Sequence, residues 1–436
     1  MKKKLITLLL AVAMMYCLSG CFVKTLYENY KTEHVTVVVT EEDIMQLEDY
    51  PNLLSADLSG STCYDAIEAY KAEHPEVEVT YTIKVLDDFY PMETTELDLS
   101  AMTSDRVDEV IEQLVRLPDV TYINLMTAEG TSSLTLSDVQ KLMEYYPAID
   151  LTYSFDFFGQ TVDLYQERLE YVEVEMGDAA EAQLREMLTV MPNINYIKLD
   201  RCGFTSPVLH SVNQDFPDTK VVWRVFYGRN GNRFNALTDE TVIRSSHYLT
   251  NETISEMQYL TDVVYMDIGH NETLTDISFV SSMPNLKLLI LSGSPIRDIS
   301  PLANHTNLEF AELCFCGNLQ DLTPLQSCTG LKYLNISGTY ANDISSLMDL
   351  ELERFVTMLN RVPMQQKNDY AAAHPDCLIV KTGQQPYGYG WRYIDDGYNF
   401  NEYYKTMRLL FHYDQESLLN GYKWDEVTAN DPDWDL

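Results

Sequence analysis

The sequence predicts an α/β repeat solenoid. Parallel strands would line its concave face, helices or irregular segments its convex face, and a cap would close each end. Three observations predict it. Between Val263 and Leu350 the chain repeats itself every 22 or 23 residues. Within each copy, apolar residues recur at positions 1, 4 and 6, the spacing of a short half-buried strand. Upstream, segments opening at Pro51, Pro118 and Pro192 repeat a strand–helix–strand pattern, with starts 67 and 74 residues apart.

The short repeat reads "VVYMDIGHNETLTDISFVSSMPN" from Val263, "LKLLILSGSPIRDISPLANHTN" from Leu286, "LEFAELCFCGNLQDLTPLQSCTG" from Leu308 and "LKYLNISGTYANDISSL" from Leu331. Its anchors are Leu286, Leu289 and Leu291, then Leu308, Ala311 and Leu313, then Leu331, Leu334 and Ile336. A second anchor follows in Asp-Ile-Ser or Asp-Leu-Thr (Ile277, Ile299, Leu322, Ile344), and a third closes the coil (Val280, Leu302, Leu325, Leu347). L-x-x-L-x-L at such a period is the leucine-rich repeat spacing. One coil cannot bury its apolar side alone, so coils stack. The phrase "DISPLANHTNL" resembles the repeats of bacterial internalin-type surface proteins over about residues 263–350. That resemblance implies adhesion or surface recognition; the spacing itself implies only the fold.

The N-terminus, "MKKKLITLLLAVAMMYCLSGC", has a charged start at Lys2, Lys3 and Lys4, an apolar run over 5–16 and then Leu18-Ser19-Gly20-Cys21. The run is far short of the roughly 20 residues of a membrane span and reads as a signal peptide, 1–20. "LSGC" resembles a bacterial lipobox, which implies lipidation of Cys21 and a protein anchored at the cell membrane on its extracytoplasmic face. Residues 21–34 would be a tether. With no wall-sorting motif near the end of the sequence, anchorage is expected by lipid, as in a Gram-positive cell.

The formal charge is −37. So acidic a surface argues against nucleic acid, whose phosphates need a Lys/Arg footprint, and against docking to anionic lipid heads. The eight cysteines form no CxxC pair, and Cys314-x-Cys316 is poor zinc spacing. Cys202 and Cys316 fall at position 9 of their repeats, where Asn271, Ser294 and Thr339 stand in other copies. Structural thiols are expected.

Residues 35–236 read as diverged, helix-containing repeats behind an N-terminal cap: a strand over 35–39, then a helix whose start is marked by Thr40 and Asp43. The longer repeats place helices ending at His74-Pro75, Tyr146-Pro147 and Phe216-Pro217, each followed by a strand, 77–83, 149–155 and 221–226. Proline restricts the residue before it and stops the helix. The competing reading is a separate α/β domain. Residues 237–355 carry the short repeats. Residues 356–436 read as a C-terminal cap: "NDYAAAHPDCLIVKTG" repeats the helix–His-Pro–strand pattern, and a helix over 402–411 is expected to pack Trp391, Tyr403 and Met407 over the last coil.

No catalytic signature is present: HExxH, GxSxG, Walker A and GxGxxG are all missing in the required context. The His residues show no i,i+4 pairing; His74 and His374, at helix C-termini, suit the dipole. Asp276, Asp298, Asp321 and Asp343 share one repeat position and suit turn-stabilising bonds to backbone. "DDGYNFNE" from Asp395 misses the calcium-loop spacing. No cofactor, metal or catalytic residue is expected.

The positive expectation is binding. Between the anchors, positions 3 and 5 face outward on the strand. They carry Tyr265 and Asp267, Leu288 and Ile290, Phe310 and Glu312, and Tyr333 and Asn335; Tyr122, Asn124, Tyr196 and Lys198 hold the same places upstream. A rigid aromatic row suits a protein or glycan ligand. The expected protein is a lipid-anchored, non-enzymatic surface receptor or adhesin. The alternatives are an envelope scaffold for membrane partners, and an enzyme with its site in 35–236.

Overall fold

The computed structural model describes residues 28–228, 234–247, 249–394, 399–411 and 413. The leader, Cys21, the acidic end of the sequence and Asp395 with Asp396 lie outside them. The chain forms two compact units, one of residues up to Glu167 with Ala182–Ile194, the other of Arg168–Glu181 with residues from Asn195 on. The division falls inside the segment whose sequence reads as diverged repeats.

In the first unit, β1 (His34–Thr36), β2 (Ser55–Asp57) and β3 (Glu78–Thr80) form a parallel sheet in that order, and β6 (Glu96–Asp98), β7 (Tyr122–Asn124) and β8 (Asp150–Thr152) another. Between strands run α1 (Tyr64–Glu73), α2 (Val107–Leu114) and α3 (Leu136–Tyr145); α4 spans Glu181–Val190. Thr135 caps α3 with a reciprocal bond to Asp138, satisfying amides that the first turn leaves without partners. The core gathers one apolar face from each element: Ala56, Leu58, Ile67, Val110 and Val139 are fully buried together.

Two local expectations change. The segment after Thr40 is a 3-10 turn, Ile44–Asp49, not an α-helix, although Thr40 and Asp43 do bond to each other. Pro51 holds Tyr50 out of helical geometry and ends the turn there. The strands expected over 77–83 and 149–155 each break in two, and the second half turns back as a hairpin: β4 (Thr82–Val85) with β5 (Asp88–Pro91), and β9 (Ser154–Phe157) with β10 (Gln160–Asp163). In the latter turn, Phe158 and Gly159 both take positive φ, 48° and 81°, as a two-residue hairpin turn requires.

In the second unit, β11 (Arg168–Val172), β12 (Tyr196–Asp200) and β13 (Lys220–Tyr227) run parallel, and β14 (Phe234–Leu237) pairs antiparallel with β13, the third such hairpin. Helix α5 (Ser206–Asp215) ends at Phe216-Pro217 as expected. Each opening of the long repeat therefore begins a strand–helix–strand–hairpin block.

The short repeats build a seven-stranded parallel sheet in strict chain order: β15 (Val242–Arg244), β16 (Tyr265–Asp267), β17 (Leu288–Ile290), β18 (Phe310–Glu312), β19 (Tyr333–Asn335), β20 (Arg354–Val356) and β21 (Leu378–Val380). The coils continue two strands beyond Leu350, where the sequence pattern fades. Position 6 of the next coil is Thr357, still buried and still facing inward, so the apolar signature is lost while the geometry persists. Helix α6 (Met364–Ala373) then leads into β21.

Every anchor at positions 1, 4 and 6 of the four copies is at most 2% exposed. Buried side chains at this density each contribute about 1.5–3 kcal/mol. After the second anchor the chain makes short 3-10 turns at Ser278–Ser282, Ser300–Leu302, Thr323–Ser327 and Ser345–Leu347. Asp276, Asp298, Asp321 and Asp343 each accept from the backbone amide two residues on, at 2.8–2.9 Å, holding these turns as the repeat position implies.

At position 9 four side chains share one job, whereas Thr339 donates to Ile336 O of its own coil and Ser294 accepts from Asn271 N. The strand has ended, and the carbonyl at position 6 of the preceding coil needs a donor. Asn271 gives one to Ser245 O at 2.8 Å, Cys316 to Leu291 O at 3.3 Å, Cys202 to Tyr171 O at 3.6 Å and Asn360 to Ile336 O at 3.4 Å. Position 8 turns left-handed in coil after coil: His270, Gly293, Phe315, Gly338 and Leu359 have φ between 56° and 71°.

Candidate functional site

The strand register sets Tyr265, Leu288, Phe310, Tyr333 and Arg354 side by side across β16–β20. It sets Asp267, Ile290, Glu312, Asn335 and Val356 in a second row. The eight residues singled out from the sequence thus share one sheet face. The exposed row expected there is not found. Phe310 and Asn335 are fully buried, Leu288, Ile290, Glu312, Asp267 and Tyr333 nearly so, and Tyr265 is half-buried.

The cover is the chain's own C-terminal segment. A stretch from Pro386 to Ile394 crosses the face, and α7 (Glu402–Leu410) lies against it. Asn401 caps α7, accepting from Tyr404 N at 2.8 Å and donating to Trp391 O, so the helix start is tied to the crossing stretch. Helical spacing sends Tyr404, Met407 and Leu410 to one side, and with Phe411 and Trp391 they bury Leu288, Ile290, Phe310, Tyr333, Val356 and Met358. Ring centroids lie 4.6 Å apart for Phe310–Trp391 and for Tyr333–Tyr403. The helix end expected near Phe411 is right. Its packing is corrected: Trp391, Tyr403 and Met407 lie across the strand face of β17–β19, not over the last coil. The reason is the outward row itself: Leu288, Ile290, Phe310, Tyr333 and Val356 leave water when the segment packs on them.

The polar residues of the row anchor the same segment. Trp391 Nε1 donates to Glu312 at 2.5 Å, Tyr413 OH to Asp267 at 2.7 Å and Asn335 Nδ2 to Pro386 O at 3.0 Å. Arg244 Nη1 donates to Phe411 O at 2.5 Å, and Tyr403 OH to Glu309 at 2.6 Å. Burial pushes the Glu312 carboxyl up; the Ser292 hydroxyl and the Trp391 indole partly oppose it. At Glu309 burial also works against the charge, but the Tyr403 hydroxyl and Lys332 outweigh it and hold the carboxyl below its usual range.

Upstream, the corresponding positions are polar. Tyr196 is covered by the Arg168 guanidinium, 3.4 Å above its ring, and its hydroxyl donates to Asp239; Lys198 pairs with Glu170. Tyr122 OH meets Thr152 Oγ1 at 2.7 Å, and Asn124 holds Met126 O. Outward positions of the first unit's strands carry Asp57, Glu78, Glu96, Asp98 and Asp150, exposed or half-buried.

Thiols and histidines take structural roles. Cys202, Cys314, Cys316, Cys328 and Cys377 are buried and free. His374 stacks on Tyr370 and reaches Met348 O at 2.8 Å, while His74 stacks on Tyr70 and meets Glu48. Among the described residues no three His, Cys, Asp or Glu side chains cluster to hold a metal, and no helix is long and apolar enough to cross a membrane.

This arrangement is an α/β leucine-rich repeat fold. No protein-family model and no curated protein sequence matches the chain. Among solved structures, an internalin (inlF) of Listeria monocytogenes is similar at 18% identity, covering 83% of this chain and 85% of its own, with a TM-score of 0.30. Internalin C2 of the same organism is similar at 20% identity over 34% of this chain and 75% of its own, TM-score 0.27. A leucine-rich repeat protein of Leptospira interrogans is similar at 12% identity over 82% of this chain and 98% of its own, TM-score 0.24. At such values the fold assignment rests on the chain's own repeat and strand register.

Proposed function

We propose that this chain is a non-enzymatic bacterial recognition protein, anchored through a lipid on Cys21 at the extracytoplasmic face of the membrane. Its stacked coils form a solenoid that engages a partner through the face of β16–β20. One observation carries this reading. Tyr265, Asp267, Leu288, Ile290, Phe310, Glu312, Tyr333 and Asn335 already hold a polypeptide, with aromatic anchors in the middle and directed hydrogen bonds around them. That is the anatomy of a protein-binding face, and it favours a protein ligand over a glycan. The aligned turn aspartates, bonded to backbone, give no support to an enzyme. A second reading, an envelope scaffold without external ligand, is favoured by the same cover if it never leaves the face.

The test uses the full chain, with its leader, on intact bacterial cells. Surface biotinylation should label it, Cys21→Ser should release it from the membrane fraction, and cross-linking should join the covered face or α7 to a partner chain. A protein that resists surface labelling, or stays in the membrane without Cys21, contradicts the reading.

A further inference from the structure

We propose that the C-terminal segment is a displaceable, tethered ligand of the β16–β20 face. The external partner of that face would then be a polypeptide presenting an amphipathic helix, with aromatic and methionine side chains spaced as Tyr404, Met407, Leu410 and Phe411. The proposal rests on reading the face as a recognition surface and names what that surface recognises.

Four features of the segment support it. First, its contact with the face is mainly aromatic, through Trp391, Tyr403, Tyr404, Phe411 and Tyr413 with Met407 and Leu410, and aromatic residues and Met are enriched at protein–protein interfaces. The buried anchors sit at i, i+3, i+6 and i+7, the pattern by which a helix lies in a groove. Second, among the described residues its backbone hydrogen bonds run within the segment, from Gly390 to Tyr393, Ile394 to Asn399 and Asn401 to Arg392. The ties to the sheet are made by side chains. Leaving the face would therefore break no strand pairing. Third, after half-buried Lys381 the connection from β21 runs through Thr382, Gly383, Gln384 and Gln385, all four exposed, with Gly383 at φ 141°. A short glycine-containing link of this kind absorbs a hinge rotation.

Fourth, the fit is incomplete. Arg354 Nη1, in the outward row of β20, and Arg392 Nε, between the Tyr387 and Tyr404 rings, are buried without a hydrogen-bond partner. A buried donor left unpaired is costly. A partner helix that also brings an acceptor to Arg354 would outbid the tethered segment on that point. The tether in turn keeps the local concentration of the segment high, so weak partners are refused and strong ones admitted.

Hydrogen exchange on the unmodified full chain tests displacement without any partner. The amides of Lys405 and Phe411, bonded inside α7, should exchange at least tenfold faster than those of Leu291 and Leu313, which join neighbouring coils. Equal rates for both sets, indicating that segment and sheet open only together, would overturn the proposal. A second measurement uses the full chain with a protease site in place of residues 382–385. After cleavage, a fluorescent peptide of residues 399–413 should enter the face. The same peptide with Tyr404, Met407 and Phe411 changed to serine should not. Failure of the unaltered peptide to enter also overturns it. Peptide entry with no partner captured on cells would support the tethered ligand while counting against surface recognition.

Discussion

The indole nitrogen of Trp391 donates to Glu312 at 2.5 Å, with both side chains buried and 79 residues apart in sequence. This bond fixes the crossing stretch at the middle of the face, because Glu312 on β18 also accepts from Ser292 at 2.5 Å. Burial raises the Glu312 carboxyl above its ordinary value of 4.5. Between that value and the raised one, the folded protein therefore holds a proton that the unfolded chain has released. Stability falls as pH rises from about that value through the folded one. Glu312→Gln, which stays neutral, should flatten this slope and melt a few degrees higher than the parent at pH 8, the difference shrinking towards pH 4. Thermal melts of both proteins across pH 4–8 check this.

Phe315 and Gly338 form a second coupled pair. The Phe315 ring lies over Gly338 in the next coil, where an added Cβ would sit 2.4 Å from its Cδ1. Gly338→Ala should lose about 1–2 kcal/mol to left-handed strain and a further ~1–3 kcal/mol to overpacking. In a Phe315→Ala background only the first part should remain. Urea denaturation of the two single variants and the double variant gives the coupling energy.

At position 9, Asn271→Ala removes donors to Ser245 O and Ile268 O and the acceptor of Leu249 N, all buried. A loss of about 3 kcal/mol is expected, given ~1–3 kcal/mol for each unpaired buried group. Asp298→Ala, at an exposed turn, should cost no more than about 1 kcal/mol. Equilibrium unfolding of the two variants checks the ranking.

Thiol chemistry should separate the cysteines. Burial pushes Cys316 up to about 12 and Cys328 up to about 11, and Cys314 well above its ordinary value. Cys63 is half-buried and should be alkylated in the native protein at pH 8 at least tenfold faster than these three. In urea the four should react alike. Peptide mass spectrometry reads both conditions.

Much of this fold was legible in the residues. Leu286, Leu289 and Leu291 and their equivalents give the strands, and the aspartates before the second anchors give the turns. The strand register puts the outward residues on one face, as their repeat positions imply, but their exposure does not follow from those positions. What a local pattern does not carry is the partner of that row. Residues 386–413 are remote in sequence from β16–β20, so only the pairing of two complementary surfaces reveals the contact. Two signals pointed to it: apolar outward residues confined to the central coils, and an amphipathic helix at Glu402–Leu410 with no coil of its own. The hairpins were hidden because one apolar alternation runs unbroken through 77–83 and 149–155. The coil from Leu352 was hidden by Thr357, a polar residue at an inward position.

Hydroxyl-radical footprinting of the intact chain tests the covered face most directly. Phe310, Tyr333 and Met407 are buried beneath or within the cover, whereas Phe315, Tyr340 and Tyr389 are 42–50% exposed. The first three should be protected to the level of the repeat core while the second three are oxidised. Oxidation of Phe310 and Tyr333 as fast as Tyr340 would contradict that cover.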